Sequence, residues 1–250
     1  MTGITILLKL LAAHLLGDFI FQGRKDAEAK NRKILTLALV KHLLIHAACI
    51  LALFLFNIDY LVVIVILVSH LLIDMGKIGY HLRLRKAQER DPGMDVQHRP
   101  LIAFALDQAA HVVVIVACWA WTTGQYSALG QPLPAKIWIV LVAYLAVSLP
   151  ASVFISICVK RWEEPVTGGL PNAGKLIGLI ERALVLSFIL QGSLAAIGFL
   201  MAAKSILRIG DLRDDKDHRK TEYILIGTLL SFSITIITGI IALYFIQLTP

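Results

Sequence analysis

Apolar residues gather along this chain in runs of about 20, the length that crosses a bilayer as a helix. The runs fall at residues 3–21, 36–56, 60–80, 101–121, 136–158, 178–206 and 222–247. The pattern predicts an all-α, polytopic helical membrane protein with about seven transmembrane helices. The first run carries Lys9, His14 and Asp18 and lacks a small-residue cleavage site, so it is expected to stay in the membrane as a span.

The polar stretches between runs orient the helices. The 22–35 segment carries Arg24, Lys25, Lys30, Arg32 and Lys33, and the 81–100 segment carries Arg83, Arg85, Lys86, Arg90 and Arg99. Neither 57–59 nor 122–135 contains a Lys or Arg. Basic loops stay in the cytoplasm, so the N-terminus is expected outside and the C-terminus inside. Trp119, Trp121 and Trp138 are expected at one interface, and Trp162 at the other. The basic stretch at 211–220 dissents, because a seven-span count places it outside. A hairpin folding back at Gly192-Ser193 would return it to the cytoplasm. Against that, 183–203 is a 21-residue apolar run between Glu181/Arg182 and Lys204, which favours one crossing with Lys204 and Arg208 snorkelling at its far end.

Composition agrees with a membrane setting: 58% of the 250 residues are hydrophobic and 16% charged, against about a quarter charged in soluble domains. The net charge of +7 belongs to loops and reads as a topology signal, so no nucleic-acid partner is expected. Membrane lipid is the expected partner, and the sequence leaves the oligomeric state open. Cys49, Cys118 and Cys158 occur singly and read as small packing residues.

Against this background the polar residues inside spans stand out. HLLGD at 14–18 recurs as HLLID at 70–74. Four pairs spaced i, i+4 each lie on one helix face: His14/Asp18, His42/His46, His70/Asp74 and Asp107/His111. Helices 1 and 3 share HLLxD, and helices 2 and 4 share [HD]-x-x-x-H, so residues 1–121 read as two repeated hairpins forming a pseudo-two-fold four-helix bundle, with 122–250 as a separate three-helix region. All eight groups fall between mid-membrane and the cytoplasmic side, where they can converge. Each buried aspartate costs about 2.5–3.5 kcal/mol at a helix centre, and a divalent ion offsets this by direct coordination. The expected cofactor is a divalent metal, two ions on either side of the pseudo-axis, with zinc, manganese and iron all compatible with imidazole and carboxylate. A purely structural hydrogen-bond network and a bis-histidine haem are the alternatives. Lys41, Lys77 and Gln108 lie within or beside the cluster. Either lysine could meet an anionic substrate or snorkel to headgroups.

The stretches HLLGDFIFQ (14–22), KHLLIH (41–46), HLLIDMGK (70–77) and FALDQAAH (104–111) resemble a bacterial membrane family known as domain of unknown function 3307. NAGKLIGLIER (172–182) and AAKSILR (202–208) look like the C-terminal part of its longer members. SHLLID (69–74) is more loosely similar to the membrane-bound metal-dependent hydrolases. The resemblance implies a bacterial inner-membrane location and a metal site more firmly than a reaction. GLPNAGK (169–175) fits a phosphate-loop skeleton, but Leu176 stands where Ser or Thr is needed and no strand precedes it, so it reads as a turn.

Two functions from different classes follow. One is a metal-dependent hydrolase acting from the cytoplasmic leaflet on a lipid or lipid-linked phosphate, with Asp18, Asp74 or Asp107 as general base. The other is a divalent-metal transporter. The apolar stretches ACILALFLF (48–56) and LVVIVILVS (61–69) favour a site closed at its outer end. A non-catalytic metal- or haem-binding subunit is the third option.

Overall fold

The structure, a computed structural model, describes residues 3–23, 27, 29, 36–122, 133–162, 173–209 and 218–249, without the side chains of 207–209 and 218–221. Most of the basic 22–35 segment, residues 163–172 of the stretch before GKLIG, the Arg208 side chain and most of the 211–220 segment lie outside the described residues. The chain is an all-α polytopic helical protein. Its elements are α1 (Gly3–Leu15, continued by a wider turn over Leu16–Ile20), α2 (Leu37–Leu53), α3 (Tyr60–Arg90), α4 (Arg99–Thr122), α5 (Ala135–Val147), α6 (Leu149–Val159), α7 (Ala173–Leu190), α8 (Leu194–Ile209) and α9 (His218–Leu248). Many of these runs are rich in β-branched residues, which are mediocre helix formers in water. In hydrocarbon the helix is enforced because every backbone polar group needs an internal partner. Among the described residues, five segments are long and apolar enough to cross a membrane: Gly3–Ile20, Tyr60–Arg90, Arg99–Thr122, Ala135–Trp162 and Glu222–Leu248. Leu37–Leu53 and Leu194–Ile206 are shorter apolar helices.

Two compact units divide the chain, Met1–Trp138 and Ile139–Pro250. In the first, α1 packs on α2 and α4, and α3 packs on the same two helices, so α1 to α4 close a ring. Thr36 caps α2 by accepting from the Leu39 amide (3.2 Å), and Asp59 caps α3 through the Leu61 amide (2.8 Å). Between them the chain turns sharply, with Leu55 and Phe56 at φ 52° and 61°. These non-glycine residues are held in the left-handed region because Phe54 and Ile58, on either side, are buried in the core. Trp119 Nε1 donates to Gly3 O at 2.6 Å, tying the end of α4 to the start of α1. The end of the bundle that holds the α1 N-terminus is filled by Ile6, Leu10, Phe54, Val62, Ile66 and Ile115. Trp138 is buried here beside the fully buried Lys9, whose Nζ lies 5.3 Å from its ring and 5.1 Å from that of Phe54.

In the second unit, the expected single crossing over 178–206 is replaced by the hairpin that was its alternative. Helix α7 stops at Leu190, and the Gly192 and Ser193 amides close back onto Ile189 O (3.0 Å) and Phe188 O (2.8 Å). Gly192 sits at φ 72°, a conformation that side chains resist, and so makes the reversal feasible. Helix α8 then returns alongside α7 until Lys204 Nζ meets Glu181 Oε2 at 2.5 Å. Lys204 is therefore level with Glu181, not a membrane's width from it, and Arg182 is buried rather than placed at an interface. The helix expected over 136–158 is also broken, at Ser148, where Pro150 begins α6.

Candidate metal centre

The four i, i+4 pairs project from α1, α2, α3 and α4 into the ring they enclose. His14, His42, His46, His70 and His111 are all at most 4% exposed, and Asp74 and Asp107 are buried with them. The five imidazoles pack closely at tilted angles, with the His46 and His70 ring centres 3.9 Å apart and those of His70 and His111 4.2 Å apart. Their Nε2 atoms converge on carboxylate oxygens. Asp18 Oδ1 lies 3.0 Å from His46 Nε2, 3.1 Å from His42 Nε2 and 3.6 Å from His70 Nε2. Asp74 Oδ2 lies 3.5 Å from His42 Nε2 and 3.6 Å from His70 Nε2. His42 Nε2 and His70 Nε2 face each other at 3.1 Å.

Three overlapping groups could hold a metal ion, each with ligand atoms within 4.8 Å of one another: His14, Asp18, His46 and His70; His42, His70 and Asp74; and Asp74, Asp107 and His111. Ligands about 2.0–2.2 Å from a tetrahedral or octahedral ion are themselves about 3–3.5 Å apart, close to the 3.0–3.6 Å found between His42, His46 and His70 and the Asp18 and Asp74 oxygens. Donor chemistry also fits, since neutral imidazole and carboxylate suit first-row divalent ions. Two buried atoms make a more specific case. His111 donates through Nδ1 to the Asp107 carbonyl (2.8 Å), which leaves Nε2 as the lone-pair nitrogen, and that atom has no hydrogen-bond partner among the described residues. Asp107 Oδ1 is likewise without one, while its Oδ2 is held by Lys77 Nζ (2.6 Å) and Gln108 Nε2 (3.1 Å). Buried acceptors left in this state cost about 1–3 kcal/mol each, and a cation between them removes that cost. Charge points the same way, since Asp18, Asp74 and Asp107 are opposed at the cluster by the Lys77 ammonium, leaving two negative charges in an apolar bundle.

Gln108 ties the halves of the cluster together, with Oε1 3.3 Å from His14 Nε2 and Nε2 donating to Asp18 Oδ2 (3.1 Å). The structure thus brings all eight ligand candidates together with Lys77 and Gln108. Lys41 is exposed on the surface of α2. Two further residues escaped the sequence reading. Gln22 lies 3.3 Å from His42 Nδ1 through its side-chain amide; its spacing of four from Asp18 was the available signal. Gly17 is the position at which HLLGD departs from HLLID. A Cβ there would fall 2.5 Å from His46 Cε1 and Nε2, so only glycine admits the His46 ring. At the same place α1 widens, the Phe21 amide reaching back five residues to Leu16 O (2.9 Å). Such π-turns are frequent at functional sites.

Beside the cluster, a cavity of about 310 Å³ lies between α3 and α4, lined by Ile73, Gly76, Tyr80, Ala103 and Leu106, with Lys77 and Asp107 on its wall. Tyr80, Ile102 and Leu106 are exposed around it, so the cavity faces outward from the bundle.

Apolar membrane-length helices around a buried set of histidines and aspartates define a membrane protein with a candidate metal centre. The chain belongs to the family described as protein of unknown function (DUF3307), whose pattern matches residues 6–155, past the four motifs and into α6. No curated protein and no solved structure matches it.

Proposed function

We propose that this protein is a membrane-embedded metal-dependent hydrolase with a dinuclear His/Asp centre, acting on a phosphate ester carried by a lipid. The supporting observation is the juxtaposition of the cluster with the α3–α4 cavity, which shares Asp107 and Lys77 with it. One ion is assigned to His14, Asp18, His46 and His70, and the other to Asp74, Asp107 and His111, with His42 between them. Two divalent ions there would supply an acidified water and polarise a phosphoryl oxygen. Asp107 holds one oxygen towards the cluster and the other on Lys77 and Gln108, so these two side chains orient it. Lys77, three-quarters buried at the cavity wall, is placed to bind the phosphate of an entering lipid. An aspartate that is not fully used as a ligand accepts the proton of the attacking water.

Passage of the ion across the membrane is the poorer reading. Beyond the cluster, towards the α1 N-terminus, the bundle is filled with aliphatic and aromatic side chains, and Lys9 places a buried amine there. A cytoplasmic cluster end is supported by Arg83, Arg85, Lys86, Arg90 and Arg99, which extend from α3 and α4 at that end.

Elemental analysis of purified protein tests the centre: two equivalents of metal are expected, with marked loss in His70→Ala and Asp107→Ala. Phosphate release from lipid phosphates in vesicles tests the reaction. Gly76→Leu, which fills a position with nothing within 4 Å of an added Cβ, is expected to retain metal and lose turnover. Metal flux into liposomes without phosphate release would instead establish transport.

A further inference from the structure

The second unit contains a polar cavity of about 340 Å³ that the reading above does not use. It lies among α6, α7, α8 and α9, and among the described residues its walls carry Lys175, Arg182, Lys204 and a single carboxylate, Glu181. Arg182 is 4% exposed and pairs with no carboxylate among the described residues. Its Nε donates to Val147 O (2.5 Å), and its Nη2 donates to Ser148 O (3.1 Å) and Ser152 Oγ. These bonds cap the break between α5 and α6. Nη1 makes only a long bond to Ser231 Oγ (3.3 Å), so one of the five guanidinium hydrogens remains without an acceptor among the described residues.

A capping role accounts for three of those bonds but not for the charge. Val147 O, Ser148 O, Ser152 and Ser231 are neutral, and a guanidinium buried among neutral groups keeps most of its desolvation cost. The nearby carboxylate offsets only part of it, because Glu181 is also engaged by Lys204 at 2.5 Å. Lys175, in the first turn of α7, adds a further cation at the end of the helix where the backbone dipole is positive. Among the described residues, three cations to one carboxylate leave two positive charges around a cavity also lined by Ser156 and Thr228. A phosphate monoester carries about −1.5 to −2 at neutral pH and several strong acceptor oxygens, so it matches both the charge and the donors.

What carries the phosphate is indicated by the neighbouring cavity. A second space of about 280 Å³ shares Ser152, Ser156 and Lys175 with the first and is otherwise lined by Leu149, Val153, Leu176 and Leu179. Of these, Leu149, Val153 and Leu176 are exposed on the outside of the unit. A polar chamber thus opens through Lys175 and the two serines onto an apolar groove. We infer that unit 2 is a binding site for an anionic phospholipid, with the phosphate held by Arg182 and Lys175 and an acyl chain in the groove between α6 and α7.

The test uses the full-length protein and a diacyl phosphonate analogue of phosphatidate, which keeps the dianionic head but resists hydrolysis, so that turnover at the metal centre cannot affect the result. Native mass spectrometry counts lipid retained per chain. One equivalent is expected, held at least tenfold more tightly than phosphatidylcholine. Lys175→Gln and Ser156→Asp, the second placing a competing carboxylate in the chamber, are each expected to weaken retention at least tenfold with unchanged thermal stability. Both variants spare the Arg182 cap. Retention equal to wild type in both variants, or no preference over phosphatidylcholine, would overturn the assignment. Inorganic phosphate binding as tightly as the analogue would overturn the lipid as its source.

Discussion

Replacing Gly17 by alanine sets two effects of opposite sign against each other. Alanine exceeds glycine in helix propensity by about 1 kcal/mol, so a reading of α1 alone predicts a more stable protein. The structure predicts the reverse. The new methyl would lie 2.5 Å from His46 Cε1 and Nε2 and 2.8 Å from Cδ2, whereas carbon contacts settle at about 3.5–4.0 Å, so the ring must retreat by about 1 Å. Behind the His46 ring stands His70, ring centre 3.9 Å away, and His46 Nε2 is bonded to Asp18 at 3.0 Å, so there is little room to yield. Overpacking of this kind costs about 1–3 kcal/mol, enough to reverse the propensity gain. Metal ligation tolerates displacements of only about 0.2 Å, so Gly17→Ala should also lower metal affinity at least tenfold. Gly79→Ala, on α3 with nothing within 4 Å of its added Cβ, serves as control and should gain stability with full metal content. Metal analysis and thermal unfolding of both variants decide the matter. Wild-type metal content in Gly17→Ala, together with a stability gain like that of the control, would refute the packing argument.

Chelation should lower the thermal midpoint of the wild type by the equivalent of about 2.7 kcal/mol when the ion had been present at a hundredfold excess over Kd, and should leave His70→Ala unmoved. Gln108→Ala removes a side chain that spans His14, Asp18 and Asp107 without being a ligand; its metal affinity should fall about 10–100-fold, measured by competition with a chromophoric chelator. Lys9→Met keeps the volume of a buried side chain while deleting its amine, and the midpoint should hold or rise, because apolar replacement of a buried charge is often neutral or stabilising by about 1–4 kcal/mol. Gly239→Ala places a methyl 2.8 Å from Ile189 Cγ2 between α9 and α7, and should destabilise by about 1–3 kcal/mol in the same assay.

The i, i+4 spacing and the two HLLxD repeats were enough to group the eight ligand candidates, because helix periodicity places such pairs on one face and their burial in lipid is too costly without a partner. Gln108 and Lys77 were legible as neighbours of the cluster, but their partners were not: which oxygen of Asp107 each one holds depends on how far α3 and α4 slide past each other. Gly17 could be seen as the break in the repeat, but its meaning required His46, which is distant in sequence and pressed against it in space. The choice between one crossing and a hairpin over α7 and α8 was not legible for a related reason. An apolar run that spans the membrane and one that turns back within it have the same composition, and the reversal rests on one glycine at positive φ and one ion pair, Lys204 with Glu181.

The sequence by itself determined that the chain lives among lipids, that it is helical, and that four helices share a set of imidazoles and carboxylates, because hydropathy, helical period and the cost of burying charge are local properties of residues. Tertiary structure alone decided where those side chains meet, which acceptors stay unpaired, and how Arg182 came to be enclosed among neutral partners. Those outcomes depend on which helix faces pack together and on small differences in register, and both arise from contacts between residues far apart along the chain.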